Sequence, residues 1–273
     1  MPFAHVDYID FDSLLSDDEK LVRQTAREFV EKEIIPIIEK HNREGSFPRQ
    51  LVPQMAELGF FGASLKGYGC AGMSNIEYGL VMQELERGDS GLRSFVSVQS
   101  ALVMYPIFAY GTDAQKDKWL PKLQKGEALG CFGLTEPQFG SNPGGMLTRA
   151  VRKGDRYILN GEKMWITSGS IADVAVVWAK TEDGVVRGFL VEKGTPGFKA
   201  WDIHGKYSLR ASVTSGLAMN DCEIPAENVL PGVAGLKGPL GCLTQAIRQL
   251  AVADRHGLEP ESGLAGIQDD LMA

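Results

Sequence analysis

At 273 residues the chain is long enough for one large or two modest domains, each with its own hydrophobic core, which excludes a single small module. Its 44% hydrophobic and 23% charged residues are ordinary for a globular protein. A net charge of −7 argues against binding to nucleic acid or to an acidic membrane surface, so a small-molecule ligand fits better.

The cysteines and histidines are too scattered to indicate a disulfide framework or a metal site, so we expect no metal. They are Cys70, Cys131, Cys222 and Cys242, with His5, His41, His204 and His256. The chain does not begin with a signal-peptide pattern, and no apolar run reaches the roughly eighteen residues of a membrane span. We therefore expect no membrane-spanning segment.

Residues 14–129 have the apolar spacing of helices. Three capping boxes mark helix starts, in which a hydroxyl and a Glu or Gln three residues later satisfy each other's backbone N–H groups. The pairs are Ser16 with Glu19, Ser74 with Glu77, and Thr112 with Gln115. A short helix is predicted over 48–58 and a long, mostly apolar one over 90–110, each ending at a glycine. The sequence predicts an all-α domain here.

Residues 130–235 change to short runs of Val, Ile, Leu and aromatic residues. Short glycine-containing segments at 153–155, 160–161, 183–184 and 194–197 are typical of turns and hairpins. The runs 174–178 and 188–191 are typical of core strands, and 208–219 continues the pattern toward residue 229. We predict a β-domain, and from residue 236 a helical stretch around 242–253 followed by a short tail.

Two segments at the beginning of this β-domain, 131–142 and 164–169, have the residue types of a flavin site. An isoalloxazine ring needs an apolar or aromatic wall and a few hydrogen-bond donors at its polar edge. Thr135 and Thr167 carry hydroxyls beside Leu134 and Ile166, and Trp165 offers a large flat surface.

The loop after the first segment also suits a ligand, because Gly140 and Ser141 offer backbone N–H groups with little steric cover. Taken singly, Thr135 or Trp165 is more often an ordinary strand-to-turn residue, since strand Thr and buried Trp are common. The occurrence of both segments together favours the flavin site.

These segments carry a resemblance to the acyl-CoA dehydrogenases, which covers about residues 14–246. The motifs are Gly133-Leu134-Thr135-Glu136-Pro137 and Trp165-Ile166-Thr167. Residues 66–72, 84–87, 93–94 with 97–100, and 208–212 resemble the glutaryl-CoA dehydrogenase branch. The resemblance implies an α+β fold in which an all-α helical domain (14–129) precedes a β-sheet or barrel domain (130–235), with a remnant of the C-terminal helical domain from 236 to 273.

The resemblance also implies an FAD site and a site for an acyl-CoA thioester. The FAD-lining residues would be Phe132, Gly133, Leu134, Thr135, Gly140, Ser141, Trp165, Ile166, Thr167 and Ser168. The substrate residues would be Arg93, Ser94, Ser141, Leu240, Gly241, Cys242 and Leu243. Glutaryl-CoA would lose a proton and a hydride and then carbon dioxide to give crotonyl-CoA, and electrons would leave through an electron-transferring flavoprotein.

Within this resemblance Arg93 would hold the distal carboxylate of glutaryl-CoA. An arginine in an apolar helix is costly to bury unless it meets an anion, so a dicarboxylic thioester is a suitable partner. From the residues alone an ion pair with Asp89, Glu86 or another helix is an equal alternative. An acyl-CoA dehydrogenase for monocarboxylic substrates would place Arg93 against an apolar chain end.

The chain departs from the family after Ala246, where the residues from 247 no longer match. The family continues with a long helical bundle, and the glutaryl branch carries its catalytic glutamate there, so no catalytic residue is assigned. We expect impaired activity, with a non-catalytic module that associates with complete subunits as the alternative. The family implies a homo-oligomer, a tetramer, located in the cytoplasm of a bacterium or the mitochondrial matrix of a eukaryote.

Overall fold

A computed structural model describes residues 10–250 of the chain. Predictions that fall on residues 1–9 and 251–273, including His5, His256 and the tail, lie outside the described residues. The α-helices are α1 (Asp17–Phe29), α2 (Ile35–Glu44), α3 (Val52–Glu57), α4 (Asn75–Gly88), α5 (Ser90–Ser97), α6 (Tyr105–Tyr110), α7 (Asp113–Gln124) and α8 (Lys237–Leu250). Short 3₁₀ turns lie at Phe11–Leu14, Arg49–Leu51, Pro143–Gly145 and Ala226–Asn228.

The three predicted capping boxes are confirmed. The hydroxyls of Ser16, Ser74 and Thr112 each accept a hydrogen bond from the backbone N–H three residues on, and the Glu or Gln there accepts one from the cap residue. The short helix over 48–58 is a 3₁₀ turn followed by α3, and Gly59 after it has a φ of 72°. Local sequence therefore determined these helix ends.

One continuous helix runs from α5 through a π-helical segment, Val98–Met104, into α6. By length and composition it is the one described helix that could cross a membrane, although the sequence analysis found no such run. Because 67% of its most apolar window is buried inside the protein, this is weak support for a span, and the helix has the burial expected of a core helix. Gln99 joins it to the first strand through two hydrogen bonds with backbone Gly130, each 2.8 Å.

The strands are β1 (Gly130–Gly133), β2 (Arg149–Lys153), β3 (Arg156–Thr167), β4 (Val174–Lys180), β5 (Val186–Glu192), β6 (Phe198–Asp202) and β7 (Thr214–Pro225). They form one mixed sheet in the order β1-β4-β2-β3-β7-β6, with β5 also paired to β4. The β1–β4 pairing is parallel, whereas β2–β3, β3–β7, β4–β5 and β6–β7 are antiparallel. The predicted α+β class is confirmed.

Two predictions within the β-domain were wrong. Asn160-Gly161 is not a turn but lies inside the long strand β3, where the pairing with β7 shifts register between Leu159 and Gly161. Asn160-Gly161 marks a bulge, which requires the same backbone freedom as a turn. Residues 208–213 form turns, and the strand predicted there begins only at Thr214.

Strand β4 lies between two hydrophobic clusters. Val174, Val176 and Trp178 pack with the helices, whereas Ala175 and Val177 pack with the other face of the sheet. This alternation follows from the two-residue period of a strand, and burial on both sides explains its continuous apolar sequence.

An ion cluster joins α1 to α4. The Glu84 carboxylate, 1% exposed, accepts hydrogen bonds from Arg27 at 2.7 Å and from Arg87 at 2.8 Å. Burial alone would raise the pKa of Glu84, but the hydrogen bonds and charges of the two arginines outweigh it, so the pKa lies below its ordinary value. The stabilisation is therefore present above the ordinary carboxyl pKa and is lost as the pH falls through the folded-state value.

Candidate cofactor and substrate site

A cavity of about 360 Å³ lies where the sheet meets the long helix and the beginning of α8. Its walls come from four parts of the chain that are distant in sequence. They are Val98 and Leu102 of the long helix, then Phe132, Leu134, Thr135, Gly140, Ser141, Asn142, Pro143 and Gly144, then Trp165, Ile166 and Thr167, and finally Leu236, Leu240 and Leu243. The two predicted flavin segments thus meet in one cavity.

The end of β3 is irregular at the cavity. Its register with β7 shifts between Lys163 and Ile166, and within this bulge Trp165 has a φ of 63°, in the left-handed region. The bulge buries Ile166 at 3% exposure while Trp165 stays 62% exposed. The backbone N–H of Met164 donates to the carbonyl of Thr135 at 2.9 Å, which joins the two segments directly.

A buried ion pair lies behind this wall. Lys163 Nζ, fully buried, donates to the Leu134 carbonyl at 3.1 Å and to Glu136 Oε1 at 2.9 Å. The Glu136 carboxylate also accepts from the backbone N–H groups of Leu147 and Thr148, at 2.6 and 3.0 Å, and from the Thr148 hydroxyl.

The two charges of this pair respond differently to burial. Burial lowers the pKa of Lys163 to about 8, against the attraction of Glu136. Burial also acts against ionisation of Glu136, but hydrogen bonds from Thr148 and Leu147 and the charge of Lys163 outweigh it, so the pKa of Glu136 lies below its ordinary value. The carboxylate is therefore ionised at neutral pH.

Most of the residues predicted to hold cofactor or substrate line the cavity. They are Phe132, Leu134, Thr135, Gly140, Ser141, Trp165, Ile166, Thr167, Leu240 and Leu243. Four other predicted residues are neighbours of the wall and do not line it. Gly133 lies in β1, Ser168 is 1% exposed with its N–H donating to the Val213 carbonyl, and Gly241 and Cys242 lie on α8. The Cys242 thiol instead faces the Gly238 carbonyl at 3.2 Å.

Arg93 and Ser94 also lie outside the cavity lining. Arg93 Nε donates to Glu86 Oε2 at 2.7 Å, which is one of the ion pairs that the sequence left open. Within the described residues, the Arg93 side chain makes no other hydrogen bond, so its two η nitrogens have no partner there. Ser94 precedes Val98 by four residues and so shares the helix face that reaches the cavity.

The described lining is mainly apolar with a few hydroxyl and amide groups, and it contains no Asp, Glu or His. Within residues 10–250 no group of three metal-binding side chains could hold a metal ion. An apolar cavity with a few convergent polar groups suits an aromatic cofactor or an acyl chain. It provides no side chain that would remove a proton from carbon at neutral pH.

Sequence reasoning missed several residues of this site. The helical spacing of Val98 and Leu102 gave no signal of a site, because apolar residues four apart on a helix are typical of any core, and Val98 was noted only within the resemblance. Lys163 and Glu136 were also missed as a pair, since they are 27 residues apart and only the fold brings them into contact. The one available signal was a charged residue at each flavin-like segment, Glu136 within 131–142 and Lys163 directly before 164–169.

Comparison with known proteins agrees with this geometry. The acyl-CoA dehydrogenase N-terminal domain matches residues 16–127, and the acyl-CoA dehydrogenase middle domain matches residues 131–222. The chain belongs to the acyl-CoA dehydrogenase family. Members of this family are FAD-dependent oxidoreductases.

Solved structures extend the match. A glutaryl-CoA dehydrogenase from Mycobacterium smegmatis is 47% identical, with a TM-score of 0.87 over 97% of this chain and 73% of its own. Another structure of a glutaryl-CoA dehydrogenase from that organism, in complex with FADH2, is 54% identical, with a TM-score of 0.85 over 87% of this chain and 61% of its own.

A relative that is named for other substrates also matches this chain. The mitochondrial short-chain specific acyl-CoA dehydrogenase of Rattus norvegicus is 34% identical over 246 residues, which are 88% of this chain and 60% of the rat protein. The chain therefore spans about three fifths of that relative's length.

Proposed function

We propose that the cavity holds the isoalloxazine ring of FAD and the acyl end of a CoA thioester, as in an acyl-CoA dehydrogenase of the glutaryl-CoA type. The observation that carries this proposal is the meeting of both flavin-like segments, the long helix and the beginning of α8 around one cavity. When bound there, FAD would supply a ring able to accept a hydride.

The residues present fit such a ring. Leu134, Ile166 and the exposed face of Trp165 offer apolar contact, while the hydroxyls of Thr135 and Thr167 are available as donors to a polar ring edge. Ser141 and the backbone of Gly140 lie at the same cavity, next to Leu240 and Leu243. These residues would orient the two ligands and exclude water from the reacting carbons.

Arg93 supports a substrate with a distal carboxylate. Because Glu86 accepts only from Nε, both η nitrogens can form the paired hydrogen bonds that guanidinium makes with a carboxylate. The glutaryl-CoA dehydrogenases from M. smegmatis, at 47% and 54% identity, support the same substrate class.

A monocarboxylic substrate is the second candidate, and the Arg93–Glu86 ion pair favours it. The Glu86 carboxylate already compensates the guanidinium charge, and it would repel a second carboxylate nearby. The rat relative is named for short-chain substrates and is 34% identical. The two candidates differ in whether the site prefers glutaryl-CoA to butyryl-CoA.

No residue of the described cavity lining is assigned as the proton-abstracting base, because the lining contains no carboxylate. We propose that turnover by this chain is weak and that the chain forms a homo-oligomer. The alternative is a non-catalytic module that associates with complete acyl-CoA dehydrogenase subunits. Electrons would pass to an electron-transferring flavoprotein, in the bacterial cytoplasm or the mitochondrial matrix. Co-purification with a complete subunit would support the module, and a clean monomer would contradict it.

The decisive experiment is ligand titration of the purified chain. We expect FAD to bind with a change in its fluorescence, and the FAD-loaded chain to prefer glutaryl-CoA over butyryl-CoA. Arg93→Met should abolish that preference, whereas Arg87→Met, which removes an arginine bound to Glu84 on the neighbouring helix, should keep it. Equal binding of the two thioesters by the unaltered chain would favour the monocarboxylic candidate, and no FAD binding would refute the flavin site.

A further inference from the structure

The Lys163–Glu136 pair does not line the cavity, yet it is one of the most buried charged groups in the described chain, at 0% and 3% side-chain exposure. Burying two charges costs several kcal/mol each, and a well-packed apolar pair in such a place is often as stable or more stable. Stability alone therefore does not account for the pair. Its hydrogen-bond partners indicate what it does.

Apart from the Thr148 hydroxyl, the partners of the pair are backbone groups in or near the cavity wall. Lys163 holds the carbonyl of Leu134, and Glu136 holds the N–H groups of Leu147 and Thr148. Thr135 lies between Leu134 and Glu136 in the chain, and its own carbonyl accepts a hydrogen bond from the backbone N–H of Met164. The wall residues Leu134 and Thr135 are thus held through their carbonyl groups, and Glu136 is anchored directly after them.

The same lysine also anchors the second flavin-like segment. Lys163 is the last residue of β3 before the bulge that places Trp165 in the left-handed region, so anchoring its side chain fixes where the bulge begins. Gly133 gives it room, because a Cβ at this glycine would lie 3.3 Å from Lys163 Cγ. One buried side chain therefore connects the two segments that face the cavity.

We propose that Lys163 and Glu136 are positioning residues, which fix Thr135 and Trp165 relative to each other in the cavity wall. This inference rests on the proposed flavin site, since the pair would hold the two wall segments in the positions that bind a flat ring. The pair touches neither ligand and acts only through the two wall segments.

Hydrogen exchange tests the positioning without any ligand. Glu136→Gln keeps the shape of the side chain but removes its charge, and we expect the amides of Leu147, Thr148 and Met164 to exchange faster by about tenfold or more after correction for global stability. Glu84→Gln is the matched control, because it makes the same change in a buried ion pair distant in sequence from the cavity wall. It should leave those three amides unchanged.

Flavin spectra test the consequence for the ligand. Glu136→Gln should weaken FAD binding and shift the visible absorption of bound flavin, and Lys163→Met, which keeps the side-chain volume, should do the same. Glu84→Gln should change neither. Equal effects of Glu136→Gln and Glu84→Gln on exchange and spectrum would overturn the inference, since the pair would then be merely structural. Failure of the unaltered chain to bind FAD would refute the proposed function alone, because Met164 exchange still reports on the wall.

Discussion

Substitutions at Trp165 should affect the affinity of the site for flavin and the stability of the fold by different amounts. Its ring is 62% exposed, so truncation removes little packing from the folded protein. Its φ of 63° is unfavourable for any residue with a side chain. Trp165→Gly and Trp165→Ala both remove the ring, but only the glycine variant also removes the backbone strain. The two variants should therefore lose equal flavin affinity and differ in stability.

The magnitudes follow from the exposed surface. A tryptophan has about 150–250 Å² to bury, so roughly 90–150 Å² of Trp165 is open to a ligand. Covering about half of that area at about 25 cal/mol per Å², with about 1 kcal/mol for aromatic stacking, gives about 2–3 kcal/mol. Both variants should bind FAD about 30–150-fold more weakly.

The difference in stability between the variants is smaller. The left-handed conformation costs alanine about 1–2 kcal/mol, and the greater freedom of glycine in the unfolded chain offsets about 0.4–1 kcal/mol of this. Trp165→Gly should therefore melt about 1–4 °C above Trp165→Ala. Calorimetry and FAD fluorescence titration measure the two effects. A glycine variant that is the less stable of the two, or FAD affinities that differ between them, would refute the reasoning.

Three further predictions concern the scaffold. Glu84→Gln should lower the free energy of unfolding by about 2–4 kcal/mol at neutral pH. Because the folded-state pKa of Glu84 is lowered, this difference from the unaltered chain should shrink in acid, and urea unfolding at several pH values measures it. Gly130→Ala should lower the free energy of unfolding by about 1–3 kcal/mol, since the new Cβ would lie 2.2 Å from Val103 Cγ1. Adding Val103→Ala should recover part of this stability. Arg210→Met should speed amide exchange in the loop 206–213, because Arg210 donates to the carbonyls of Asn42, Arg43 and Lys206; unchanged exchange would contradict that role.

Local signals predicted the helices well. The capping box at Thr112 needs only residues within one turn, and the short helix ends at a single glycine, Gly59, with a positive φ. The same kind of local reasoning was wrong at Asn160-Gly161, because a bulge and a turn favour the same residues. Pairing with β7, which is distant in sequence, decided between them.

The candidate site also has features that local sequence determined and features that depend on the tertiary structure. The sequence alone determined which segments carry flavin-like residues, because an apolar wall with hydroxyls at Thr135 and Thr167 is visible without a fold. Only the tertiary structure decided that these segments meet, that Lys163 and Glu136 form one buried pair behind them, and that Arg93 donates to Glu86. The physical reason is range: residue types and turns are properties of neighbouring residues, whereas burial, ion pairing and cavity shape depend on contacts between residues far apart in the chain.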